Sequence, residues 1–183
     1  MKRIMLTILA IVILFSMTAC LGKNSGPMEA LDKKHARSVT NDLKIFESGN
    51  ISDITVCIFG ENANVGDSTD GIIADLFSNA DVELSDSDDA SITYIITAPD
   101  ISDFFTACAD DLDAITTSEE LAQAIQAYAE IAPQKEYIVS VPYTISDKDI
   151  DVSYDTPEFI NAMTGGLLDA YFAVYDQYLS GEG

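Results

Sequence analysis

Two stretches of the chain place their side chains with a period of two, and this constrains the fold more than any other feature. In Glu136–Ile145, Tyr137, Val139, Val141, Tyr143 and Ile145 share one face. In 91–97, Ile92, Tyr94 and Ile96 alternate with Thr93, Ile95 and Thr97. A period of two belongs to a strand with one buried face. Such a face must be covered, so the chain has to build a sheet with other elements laid on it. Pro142 removes one ladder donor, which puts its strand at an edge or at a bulge. Residues 81–84 alternate Val82 and Leu84 with acids and reach Ser91 through the turn Ser85-Asp86-Ser87-Asp88-Asp89. This pattern predicts a hairpin over 81–97. In 149–154 the alternation returns with Ile150, Val152 and Tyr154 inward, which supplies a fourth strand.

Helical spacing fills the remainder. Over 28–48, Leu31, His35, Val39, Leu43 and Phe46 form one stripe, and Gly49 is a good stop. Residues 50–59 read two ways: Asn50 can cap a helix, yet Ile-Thr-Val-Cys-Ile-Phe has strand composition. Residues 71–77 give one or two helical turns. Asp100 is placed to cap a helix carrying Ile101, Phe104, Phe105, Cys108 and Leu112. Thr117 with Glu120 forms a capping box for a helix carrying Leu121, Ala124, Ile125 and Tyr128. Thr156, with Pro157 at the first helical position, opens a long final helix. Its stripe is Ile160, Met163, Leu167, Ala170, Tyr171, Val174 and Tyr178, and Gly165-Gly166 within it signals a close approach or a kink.

The order is α(α)-ββ-αα-ββ-α. It predicts an α+β domain, an antiparallel sheet of about four strands with helices packed on one face. A helix laid on a curved sheet is similar to cystatin and NTF2 folds, although the helix pair at 100–132 departs from the plain NTF2 order.

The first nineteen residues have a different character. Lys2 and Arg3 precede the apolar run Ile4 to Met17, and small Thr18 and Ala19 lead to Cys20. A basic start, a short apolar run and small residues describe a secretory signal peptide. Spanning a bilayer takes about 20 apolar residues, so the run is too short for a comfortable membrane helix. The junction Met17-Thr18-Ala19-Cys20 resembles the lipobox of bacterial lipoproteins, with Met17 where that family usually has leucine. The resemblance implies lipidation of Cys20, cleavage before it, and a protein held on the cell membrane at its extracytoplasmic face. The expected organisation is a lipoprotein signal peptide at 1–19, the lipidated cysteine and a short tether at 20–27, and one acidic domain at 28–183. The segment from Glu158 to Tyr171 resembles that of small acidic lipoproteins of Gram-positive bacteria, a group that implies little chemistry.

Charge is divided in the same way. The mature chain of 183 − 19 = 164 residues keeps 7 bases against 31 acids, a formal charge of −24. Five of those bases (Lys23, Lys33, Lys34, Arg37, Lys44) lie in 20–48, beside the tether. Near a membrane such bases favour anionic headgroups. Residues 49–183 keep only Lys135 and Lys148, which argues against nucleic-acid binding, since that needs a basic footprint.

Few residue patterns carry chemistry. Asp147, Asp149, Asp151, Ser153, Asp155 and Glu158 occupy positions 1, 3, 5, 7, 9 and 12 of a twelve-residue frame, the ligand spacing of a calcium loop. Its calcium candidates are Asp147, Asp149, Asp151, Asp155 and Glu158. Val152 stands where such a loop needs glycine, and a strand rather than a helix precedes it, so a solvated strand face is the competing reading. Asp86, Asp88 and Asp89 suit turn chemistry. His35, the single histidine, is expected to be packed and hydrogen-bonded rather than catalytic. Cys57 and Cys108 are equally readable as a disulfide or as two thiols. Tyr171, Tyr175 and Tyr178 are the candidate contact surface, Tyr175 falling off the inner stripe.

The expected function is that of a membrane-anchored, extracytoplasmic, non-enzymatic interaction or ligand-binding domain. It needs no cofactor and meets a protein or small-molecule partner besides the membrane. The alternatives are an envelope enzyme with a carboxylate-containing pocket and a calcium-binding domain.

Overall fold

A computed structural model describes residues 28, 31–60, 76–108, 115–146 and 149–180, the side chains of 176–180 excepted. Residues 1–19, Cys20, the tether, the 61–75 segment, Leu112 and Asp147 lie outside the described residues.

Four strands form one antiparallel sheet in the order β1-β2-β3-β4, with β1 Asp81–Ser87, β2 Ser91–Pro99, β3 Gln134–Ile145 and β4 Ile150–Val152. The helices are α1 Lys33–Glu47, α2 Ile51–Phe59, α3 Phe104–Ala107, α4 Ser118–Ile131, α5 Pro157–Met163 and α6 Leu167–Ser180. The α+β class and the hairpin-helix-hairpin order are as the sequence predicts. Pro142 pairs with Ser91 on its β2 side, and β4 joins β3 only from Tyr143 onward. On the β4 side the Pro142 carbonyl accepts from Ser153 N–H at 2.9 Å, the missing proline donor ends the ladder there, and among the described residues no strand pairs with 134–141 on that side.

Ile92, Tyr94, Ile96, Val82, Val139 and Val141 point to the covered face, against α1, α2 and α5. Ile138 stands on the other face, exposed, and Thr93 and Ser140 share a 2.9 Å hydrogen bond there. A second, smaller core joins Leu76, Ile101, Phe104, Ile125 and Ala129.

Local chemistry explains most of the boundaries. Asp32 accepts the backbone N–H groups of Lys34 and His35 and starts α1. Asn50 does the same for Ser52 and Asp53, and 51–59 is a helix despite its strand composition. Burial of Ile54, Thr55 and Ile58 on one helical stripe outweighs β-propensity there. The Thr117–Glu120 capping box is present. The first hairpin turn is shorter than expected: β1 runs to Ser87, with a register shift between Leu84 and Asp86. Asp88 accepts from Ala90 and Ser91 N–H at 2.8 and 2.7 Å, which is turn chemistry. Asp100 does not cap a helix. Its carboxylate turns back to Ser102 and toward Lys135, and α3 begins after Asp103 without a side-chain cap.

The long final helix is two helices. Gly165 and Gly166 adopt φ of +63° and +85°, a region that strongly favours glycine. A Cβ on Gly165 would lie 1.9 Å from the Pro99 carbonyl oxygen. The Gly165 carbonyl accepts from Ile101 N–H at 2.8 Å, so the break is pinned to the end of β2.

Candidate functional site

The break at Gly165-Gly166 sets the phase of the last helix. Because α6 starts anew at Leu167, the stripe of Ile160 and Met163 does not continue along it. Ala170 stays buried, whereas Tyr171 and Val174, inward by sequence periodicity, are exposed. With Phe172 and Tyr175 they form one apolar surface, each residue 42–56 % exposed. The rings contact one another: Tyr171 meets Phe172 edge-on at 5.7 Å and stacks on Tyr175 at 6.4 Å. Of the sequence-predicted contact residues, Tyr171 and Tyr175 are thus together at the surface, and the Tyr178 side chain lies outside the described residues.

A second candidate lies under α1. A cleft of about 450 Å³ is lined by Ser38, Asp42 and Ile45 of α1, Asp53, Val56 and Cys57 of α2, and Ile150, Asp151, Val152 and Tyr154 around β4. Its floor is a hydrogen-bonded chain. The Tyr94 and Tyr154 hydroxyls, both buried, are 2.8 Å apart, and Tyr154 donates to Asp42 Oδ2 at 3.2 Å. Phe46 and Phe159 pack around the two phenols with ring centroids 5.1–5.9 Å apart. Removal from water pushes the Asp42 carboxyl up to about 6, against the Tyr154 hydrogen bond that holds it down. Burial, with Asp42 nearby, pushes the Cys57 thiol up to about 12. Both phenols are raised for the same first reason. Around neutral pH, then, Asp42 is the group of this cleft that exchanges protons, while the thiol and phenols stay protonated.

Sequence periodicity alone passes over Asp42, although it carries a signal. Positions 35, 39, 42 and 46 repeat at spacings of four, three and four, and the described burial runs along that row through His35, Val39 and Phe46. Taking Leu43 as the stripe member conceals a carboxylate on the inner face.

The remaining candidates separate. Asp149 reaches Lys34 at 3.8 Å, Asp151 lies on β4, and Asp155 and Glu158 flank the Thr156 cap of α5. Among the described residues no three His, Cys, Asp or Glu side chains are arranged to hold a metal ion. Cys57 packs on the large core and Cys108 on the small one, and both are free thiols rather than a disulfide. His35 is buried with Nδ1 3.2 Å from Asp32 Oδ1, and its Nε2 has no hydrogen-bond partner among the described residues. No described helix is long and apolar enough to cross a membrane. The chain matches no protein-family model, and no curated protein or solved structure matches it.

Proposed function

We propose that this chain is a lipid-anchored, extracytoplasmic binding module that meets its partner through the aromatic face of α6. The observation that carries the reading is the cluster Tyr171, Phe172, Val174 and Tyr175, exposed together on one helix. Scattered surface apolar residues are ordinary, but rings gathered in one patch mark contact sites. Tyr and Phe bring large contact area at a low cost in side-chain entropy. The lipobox-like junction before Cys20 supplies the address. A diacyl anchor would hold the domain near the bilayer, with the bases of 20–48 against its headgroups.

The rival reading, an envelope enzyme working through a carboxylate pocket, is favoured by Asp42 alone. With the neighbouring thiol and phenols held protonated, the chemistry it supports is proton transfer by one carboxyl.

Two measurements test the proposal. Cys20→Ala is expected to abolish lipid labelling and lipoprotein-type processing, and a variant that still acquired lipid would remove the address. A photoreactive benzoylphenylalanine placed at Phe172 is expected to give a discrete crosslinked product in the cell envelope, while the same group at Asp86 gives none. Equal crosslinking from the two positions would remove α6 as the contact surface.

A further inference from the structure

The cleft between α1, α2 and β4 carries an inference separate from the α6 surface. Its walls divide by chemistry. Ile45, Val56, Ile150 and Val152 are apolar, and Asp42, Asp53 and Asp151 bring three carboxylates. Among the described residues no lysine or arginine lines it, although α1 carries Lys33, Lys34, Arg37 and Lys44. Among the described residues Asp42 has one hydrogen bond, from Tyr154, and no cationic partner. That bond is fixed from behind, because Tyr154 is itself held by Tyr94 and by the rings of Phe46 and Phe159. The carboxylate is therefore held in place at the floor of a space large enough for a small molecule. A partly buried charge without a counter-charge is unfavourable, and a cation that enters relieves it.

We infer that this cleft is a binding site for a small organic ammonium ion, with the charged head on Asp42 and an apolar body against Val56, Ile150 and Val152. The described carboxylates are not placed to share a metal ion, which favours a larger cation with an apolar body. An amine offers up to three N–H donors to carboxylate and hydroxyl oxygens, and its carbon skeleton covers the valine and isoleucine walls.

The experiment is a ligand-observed NMR titration of the full-length protein in detergent micelles, with micelles alone as the blank. The probes are cyclohexylammonium, cyclohexanol and cyclohexanecarboxylate, which share one apolar body. The ammonium is expected to bind about tenfold more tightly than the alcohol, and the carboxylate more weakly than either. Asp42→Asn keeps the side-chain volume and an oxygen for Tyr154, and is expected to raise the ammonium dissociation constant about tenfold, to the level of the alcohol. Val56→Trp, at an exposed wall position, keeps every carboxylate but fills the space, and is expected to abolish binding of both. Asp86→Asn, in the first hairpin, leaves binding unchanged. Equal binding of ammonium and alcohol, undiminished ammonium binding by Asp42→Asn, or no ammonium binding at all would each overturn the assignment. The α6 crosslink tests the contact surface separately and does not depend on this result.

Discussion

The molecule holds two aromatic clusters with opposite fates. Phe46, Tyr94, Tyr154 and Phe159 are buried, their hydroxyls joined to each other and to Asp42. Tyr171, Phe172 and Tyr175 stand at the surface, with Tyr171 in ring contact with both of the others. Both clusters draw on the last two helices, and only Thr164, Gly165 and Gly166 separate α5 from α6. Residue type does not decide which ring is buried. Position relative to the sheet decides it: α5 lies across β2 and β3, whereas α6 leaves the sheet after the break and packs against α3 and α5. Rings that complete a core have their polar ends satisfied within it. Rings left over beyond a break remain available to something else.

The contrast between the clusters is most vulnerable at the hinge. Gly165→Ala puts a methyl group into the Pro99 carbonyl at a positive φ, and should cost on the order of 5 kcal/mol, enough to abolish cooperative unfolding near ambient temperature. Phe159→Ala opens a cavity inside the buried cluster and should cost about 4 kcal/mol in denaturant unfolding. Tyr154→Phe keeps the ring but leaves Asp42 and the Tyr94 hydroxyl without their partner, a loss of about 2 kcal/mol.

Asp42 adds a dependence on pH that only the buried cluster should show. Its folded-state proton affinity is raised, from 3.8 to about 6, so between those values the folded chain binds more protons than the unfolded one. Stability from this group is then fully present below 3.8 and is lost as pH rises through about 6. Asp42→Asn should remove that slope, so the gap in melting temperature between variant and parent widens in favour of the variant as pH rises from acid to neutral. A constant gap would contradict the buried placement of the carboxylate. The surface cluster gives the smallest effect. Tyr171→Ser with Tyr175→Ser should change stability by about 0.5 kcal/mol per site or less in thermal unfolding, while removing the crosslink from benzoylphenylalanine at position 172.

Much of this fold is legible in the sequence. The period-two stretches mark β2 and β3, and Asn50, Thr117 and Thr156 mark three helix starts through their side-chain oxygens, whereas the first helix, read from 28, starts at Lys33 behind Asp32. Gly165-Gly166 announces a close approach without saying to what. The partner is a backbone carbonyl more than sixty residues earlier, and no local pattern encodes that distance. For the same reason periodicity turns Tyr171 and Val174 inward, since a stripe extrapolated through a break loses its phase. Asp42 is hidden beside Leu43. A carboxylate with an apolar neighbour in sequence looks solvated until the sheet brings Tyr94 and Tyr154 over it.

Tyrosine nitration, mapped by mass spectrometry on the purified protein and again in the intact envelope, reads both clusters in one experiment. Tyr171 and Tyr175 are expected to react in the purified protein while Tyr94 and Tyr154 do not, and Tyr171 and Tyr175 are expected to become protected in the envelope, where a partner covers them. Reaction of Tyr94 or Tyr154 in the folded protein, or equal labelling of Tyr171 and Tyr175 in both settings, would contradict the division into a buried core cluster and a surface contact cluster.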